Sequence, residues 1–231
     1  MRNLLRSIFN PFLGLLFPPS CLACEQTLCH GEQYLCTVCW ASFPQRLTMW
    51  EDQDDMAARL WGSMPLIKAT SLFTFQKGSP VQQLIYKIKY KNQYRAAAYL
   101  GAYYGHLLKD LTPTPVDGII PVPLHRARQR QRGYNQSAWL AKGIAQATGW
   151  PCYPHWLARR VNTTTQTNKS RSERMTNVAN AFQLTDAADV QGKHLLLVDD
   201  LVTTGATLKA CANVFEGHQH HISVAVLAMA I

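Results

Sequence analysis

Apolar positions change period several times along the chain, and each change marks an element. Leu66 to Phe75 alternates enough to read as a strand. Val81, Leu84, Ile85 and Ile88 then recur at the i, i+3, i+4, i+7 spacing of one helix face, with Lys87, Lys89 and Lys91 partly on the other side. Tyr94 to Leu108 continues as a second helix with Ala and Leu inward, where Gly101 and Gly105 allow close packing. Helical spacing makes Tyr86, Tyr90, Tyr94, Tyr99 and Tyr103 packing residues rather than base-stacking ones. Asp117 to Leu124 is a strand that its prolines must end, since proline fixes the backbone and cannot continue a central ladder. Leu140 and Ile144 mark a helix that Asn135 or Ser137 can cap, and Ala179 to Leu184 is strand-like. Leu195 to Val198 is apolar at every position, as in a strand buried on both faces of a parallel sheet, and Asp199 and Asp200 end it. Helical spacing returns at Leu208, Cys211, Ala212 and Phe215; Gly217 is predicted to stop that helix, and Val224, Val226 and Leu227 form a last strand.

The junction after Val198 concentrates the candidate chemistry. Thr203, Thr204, Gly205, Ala206 and Thr207 set hydroxyls and small residues at a predicted helix start. Free N–H groups and the helix dipole favour a phosphate there. Asp199 and Asp200 repel such an anion, but their acceptor-only oxygens suit the two hydroxyls of a ribose. The stretch reads as a sugar-phosphate clamp; the plainer alternative is an ordinary strand, cap and helix of an α/β domain.

Charge adds a second theme. The 231 residues carry a formal net charge of +9. Between Pro121 and Arg174 ten Lys and Arg face Glu173 alone, so this block accounts for the whole excess. Such a block is a phosphate or nucleic-acid face, or a solvated surface. His125, Arg126, Arg128, Arg130 and Arg132 follow the Pro121-Val122-Pro123-Leu124 turn, and guanidinium suits bidentate phosphate contacts. His125 itself reads as a hydrogen-bonded turn residue. Arg159 to Arg174, which includes Arg171, is basic, rich in hydroxyls and without apolar periodicity; it reads as a loop over the site that orders when an anion binds.

At the N-terminus, Met1 to Arg6 followed by Ile8, Phe9, Phe12, Leu13 and Leu15 to Phe17 imitates an export signal. Asn10-Pro11 interrupts the run and Pro18-Pro19 follows it, so residues 1–19 read as a short amphipathic segment folded on the body, with membrane-surface contact the weaker option. Next, Cys21-x2-Cys24 and Cys36-x2-Cys39 place four thiolates as two knuckles able to close a tetrahedral zinc site. Disulfides are the competing account, and Cys29 or His30 can replace one ligand. Four cysteines leave no open coordination position, so such a zinc is structural. The predicted organisation is an amphipathic segment (1–19), a four-cysteine module (20–45), an acidic linker (46–65) and one main domain (66–231).

LLLVDDLVTTGATL resembles the phosphoribosyl-pyrophosphate (PRPP) motif of type I phosphoribosyltransferases. PVPLHRARQRQRGYNQS, then Gln166-x7-Arg174-x2-Asn177-x3-Ala181-Phe182, then that motif, behind a four-cysteine head, resemble the ComF family of competence-associated, phosphoribosyltransferase-like proteins, which includes the GntX type. The resemblance covers nearly the whole chain. It implies an α/β fold with a type I phosphoribosyltransferase-like parallel sheet flanked by helices and a small zinc-ribbon-like module. It also implies a role in taking up or using external DNA, on the cytoplasmic side of the inner membrane. Ala206 stands where active transferases often have glycine, a mild departure. Two functions follow as expectations. In one, the protein is an accessory of DNA uptake that binds a phosphoribosyl ligand, with Arg126, Arg128, Arg130, Arg171 and Arg174 meeting single-stranded DNA, and a translocation helicase or other competence proteins as partners. In the other it transfers phosphoribosyl from PRPP: Asp199 and Asp200 hold the ribose, Thr203 to Thr207 the 5′-phosphate, and Pro121 to Leu124 with Arg132 the pyrophosphate and its Mg²⁺. The first is preferred, because no segment is visibly built to read a nucleobase.

Overall fold

The apolar runs become one parallel sheet, and the computed structural model describes residues 18–43, 66–111, 115–160, 181–185, 189–218 and 221–230. Its elements are α1 (Thr37–Ser42), β1 (Leu66–Phe75), α2 (Pro80–Tyr90), α3 (Tyr94–Leu111), β2 (Gly118–Pro121), α4 (Arg126–Arg132), α5 (Gln136–Thr148), β3 (Leu157–Arg159), β4 (Phe182–Leu184), β5 (His194–Val202), α6 (Ala206–Asn213) and β6 (His221–Ala230). Four strands pair in the order β1-β6-β5-β2, all parallel, while β3 and β4 form a separate antiparallel pair.

Alternate residues of β5 enter two different cores. Leu196 and Val198 join the cluster of α2, α3, α5 and the cysteine head; Leu195 and Leu197 join that of α6, β3 and β4. All four are fully buried, each contributing about 1.5–3 kcal/mol, which is why this strand is apolar at every position.

The C-terminal ends of β2 and β5 differ in length. β2 stops at Pro121, opposite Val198, whereas β5 stays paired with β6 as far as Val202 and Met229. Asp199 and Asp200 therefore lie within the strand rather than ending it, because β6 goes on offering backbone partners. The β2 ladder no longer flanks them. From β2 the chain passes to α5 on one face, and from β5 to α6 on the other. Neighbouring parallel strands whose connections diverge leave a crevice at their C-terminal ends, where open α/β sheets bind ligands.

Helices begin and end where local chemistry allows. Ser79 caps α2 by accepting from Gln82 N, with Pro80 in the first turn. The basic run read as following a turn is itself a helix, α4, capped by His125 and closed by Gly133 at φ 81°. His125 accepts from Ala127 N, the local role expected of it. α6 stops at Asn213, earlier than predicted; Gly217 lies in the turn beyond it, left-handed at φ 89°. Close packing at Gly101 and Gly105 is present, and Gly143 of α5 supplies the facing contact.

The cysteine head shares the main core: Leu35, Cys39 and Phe43 are buried in one cluster with Phe73, Leu100 and Tyr104. Residues 1–17, the stretch 44–65 and residues 161–180, among them Arg171 and Arg174, lie outside the described residues. Among the described residues no helix is long and apolar enough to cross a membrane.

Candidate functional site

Two acids, a threonine loop and a clasp of polar side chains meet where β5 outruns β2. Asp199 Oδ1 accepts from Ser137 Oγ of α5 at 2.9 Å and from Asp200 N at 2.8 Å. Asp200 Oδ1 pairs with Lys89 Nζ of α2 at 3.1 Å. Asp200 Oδ2 is buried without a hydrogen-bond partner among the described residues. The acids, expected as an equivalent pair, thus face different neighbours. Burial and the adjacent Asp200 push the Asp199 carboxyl above the ordinary aspartate range, against the hydrogen bonds and the Lys89 charge that pull it down. Burial and nearby Arg128 lower Arg159 of β3, while Cys211 and Asp199 raise it, so a second cation stands near this end of the sheet.

Beyond Val202, Thr203 and Thr204 are exposed and Gly205 is buried. Gly205 sits at φ 74°, open to glycine at little cost, and it caps α6 without any side-chain hydrogen bond. The first-turn amides, from Ala206 and Thr207 onward, thus carry no side-chain cap, an arrangement that attracts an anion.

The Arg-Gly-Tyr-Asn-Gln-Ser segment, residues 132–137, ties this end together. Tyr134 OH donates to Ile88 O of α2. Asn135 Nδ2 donates to Val122 O at 3.0 Å while its Oδ1 accepts from Ser137 N, so Asn135 is the cap of α5. Arg132 Nη1 donates to buried Gln136 at 2.9 Å and Nη2 to Tyr90 OH at 3.3 Å. Pro121 and Val122 are buried, Pro123 and Leu124 half-buried, Arg128 half-buried, and Arg126 and Arg130 exposed.

Remote from the sheet end, the sulfurs of Cys21, Cys24, Cys36 and Cys39 all lie within 4.8 Å of one another, and all seven described cysteines are free of disulfides. Cys24 and Cys36 sulfurs are 3.7 Å apart. Cys36 N and Cys39 N donate to the sulfurs of Cys21 and Cys36, each at 3.4 Å. The cluster can hold a metal; Cys29 stands exposed, outside it.

A model of the phosphoribosyl transferase domain matches residues 155–230, the span holding both acids and the threonine loop. DNA utilization protein YhgH of Salmonella typhi is 29% identical over 214 residues, covering 86% of this chain and 91% of that protein. Competence protein F of Haemophilus influenzae is 33% identical over 134 residues, 56% of this chain and 58% of its own. Competence protein ComFC of Bacillus subtilis is 23% identical over 193 residues, 83% of this chain and 75% of its own. These similarities support a ComF-family, phosphoribosyltransferase-like protein.

Three residues at this site escaped the sequence reading. The helical pattern sets Lys89 partly on the side of α2 away from its apolar face, with no partner named, yet it pairs with Asp200 and its side chain is 18% exposed. Its position four residues after Ile85, about 40° around the helix, was the available signal. Ser137 was read only as a cap and Gln136 not at all, because their partners are distant in sequence.

The raised Asp199 pKa has a pH consequence. Folded Asp199 keeps its proton above the ordinary aspartate value of 3.8, so between that value and its folded pKa the folded state binds more protons than the unfolded one. Stability contributed by this group therefore falls as pH rises through that window, and levels off above it. Asp199→Asn keeps an acceptor for Ser137 and removes the charge. The difference in melting temperature, variant minus wild type, is expected to grow from about pH 4 to 8; parallel curves for the two proteins would contradict the assignment.

Proposed function

We propose that this ComF-family protein serves the use of external DNA, binding a phosphoribosyl-type ligand at the end of β5 while its arginine-bearing face contacts single-stranded DNA. Asp200 Oδ2 carries this reading. It is a buried carboxylate oxygen with no partner among the described residues, on a side chain steadied by Lys89 and a few residues from an uncapped helix start. Leaving such an acceptor unsatisfied costs about 1–3 kcal/mol or more, which a ribose hydroxyl recovers. A pentose phosphate offers that donor and an anion for the amides after Gly205 in one molecule. The names of the relatives, DNA utilization and competence proteins, support the cellular role. The excess of ten cations over one acid between Pro121 and Arg174 supports a polyanionic partner.

The four-cysteine cluster takes zinc in this reading. A tetrahedron with Zn–S of about 2.3 Å has sulfur–sulfur edges of about 3.8 Å, close to the Cys24–Cys36 spacing of 3.7 Å. A backbone N–H of Cys36 aimed at the Cys21 sulfur favours thiolate there, and the Cys21 pKa is lowered from the ordinary thiol value. Cys21, Cys24, Cys36 and Cys39 would hold the ion, and its contribution is structural.

A second reading, an active phosphoribosyltransferase, is favoured by the domain match over residues 155–230. Mg²⁺ asks the protein for only one or two carboxylate oxygens beside substrate phosphates, and Asp200 Oδ2 fits that share. The ion would neutralise pyrophosphate; Pro121 to Leu124 and Arg132 would line its place.

Thermal shift tests the ligand site that both readings share. Ribose 5-phosphate or PRPP at about 100 times its Kd is expected to stabilise the fold by about 2.7 kcal/mol. Asp200→Asn should lose most of that shift. A full shift in the variant, or none in the wild type, removes the ligand reading. Release of pyrophosphate from PRPP with Mg²⁺ and a nucleobase, absent in Asp200→Asn, selects the transferase.

A further inference from the structure

Among the described residues three large apolar side chains are strongly exposed, Val38, Tyr86 and Tyr90, and two of them stand on successive turns of α2. Tyr86 is 48% and Tyr90 57% exposed, although helical spacing assigned both to packing. Their ring centroids lie 5.2 Å apart with planes 44° from parallel. The opposite face of α2 is satisfied without them, through Val81, Leu84, Ile85 and Ile88.

Tyr90 is also held in place. The Arg132 guanidinium lies over its ring, 4.9 Å from the centroid, and donates to its hydroxyl, while buried Gln136 anchors the other end of the fork. Arg132 ends α4, a helix with no buried residue, whose Arg126 and Arg130 border a concavity of about 300 Å³ with Gln129 and Gly133. Lys89, the residue before Tyr90 in the chain, reaches Asp200. Tyr90 is thus tied to the arginine helix through Arg132 and is one residue along the chain from the lysine that holds Asp200.

Cations alone suffice to hold a phosphate backbone. Two exposed rings beside them add π-faces that phosphates do not use and that unpaired bases do, whereas duplex bases are already stacked on each other. Arg126, Arg128, Arg130 and Arg132 of α4 supply the complementarity to a polyanion. We propose that Tyr86, Tyr90 and Arg132 form a base-stacking platform for single-stranded nucleic acid, continuous with the cations of α4. The platform rests on the DNA reading above and adds to it the surface that takes the bases.

Fluorescence anisotropy on the full chain with three labelled oligomers of equal length, single-stranded, abasic and duplex, tests it. Wild type is expected to bind the single strand at least tenfold more tightly than the abasic strand. Tyr86→Ala with Tyr90→Ala should weaken the base-bearing strand about tenfold or more, leaving abasic binding and the salt slope nearly unchanged. Tyr90→Phe keeps the ring and should stay within about threefold of wild type. Arg126→Ala with Arg130→Ala should instead weaken both single strands and reduce the slope. Unaltered melting temperature and an intact ribose 5-phosphate shift in the tyrosine variant guard against misfolding. Equal binding of abasic and base-bearing strands, equal loss of both in the tyrosine variant, or preference for duplex overturns the platform while leaving the DNA reading standing. No binding of any oligomer at low salt removes the DNA reading, and the platform with it; a ligand shift persisting there leaves the sugar-phosphate site intact.

Discussion

Cys36→Ser is expected to release the metal and to lower the melting temperature of the whole chain by about 10 °C or more. Zinc in small cysteine modules contributes on the order of 10–16 kcal/mol to folding, and the module here is not separable from the body. Trp40 lies 4.7 Å from Tyr103 and Phe43 5.0 Å from Phe73, ring centre to ring centre. Glu25 pairs with Lys87 of α2 at 2.9 Å. Without the proposed zinc the head would lose the geometry holding Leu35, Trp40 and Phe43 over α3 and β1. Uncovering two or three such side chains costs on the order of 5 kcal/mol, and in a chain of this size each kcal/mol moves the midpoint by about 2–4 °C. Metal content by elemental analysis and melting by calorimetry are the measurements. Cys29→Ser, outside the cluster, is expected to keep both values. A metal-free wild type melting like the loaded protein would falsify a structural role for the ion.

Gly143→Ala adds one methyl group and is expected to cost more than about 3 kcal/mol, beyond ordinary overpacking of about 1–3 kcal/mol. A Cβ at 143 would stand 2.0 Å from Ala98 O and 2.7 Å from Ala102 N, and at 101 it would stand 2.2 Å from Leu140 O. These obstacles are backbone atoms of the facing helix, so no rotamer change relieves them; α3 and α5 must separate. Separation opens the packing of Leu100, Leu140 and Ile144, all buried between these helices. It also displaces the start of α5, where Ser137 holds Asp199 and Asn135 holds Val122 O. Denaturant unfolding should show the stability loss, and the ribose 5-phosphate shift should shrink with it. A variant within 1 kcal/mol of wild type, roughly the scale of a tolerated core swap, would contradict so close an approach.

Local pattern and long-range pairing divided the information about this protein unevenly. The β1 strand, the helix faces of α2 and α3, the two cysteine knuckles, the proline stop of β2 and the acid-threonine junction were legible from residues near one another, because period, ring constraint and like-charge repulsion act over a few positions. The family resemblance was legible for the same reason, in contiguous motifs. What the chain did elsewhere was decided by partners far along it. β5 continues through Asp199 and Asp200 because β6 is there to pair with. Lys89 meets Asp200, Ser137 meets Asp199 and Tyr134 reaches Ile88 O across separations of 111, 62 and 46 residues. The arginine run folds as a helix without an apolar face, held by its caps and by Arg132 on Gln136 and Tyr90, and Tyr86 and Tyr90 are left outside because α2 fills its buried face without them. Sequence spacing specifies which side a residue takes on its own helix or strand. Which oxygen of which acid stays free, and which rings stay uncovered, depends on how the elements meet, and only the packed molecule contains that.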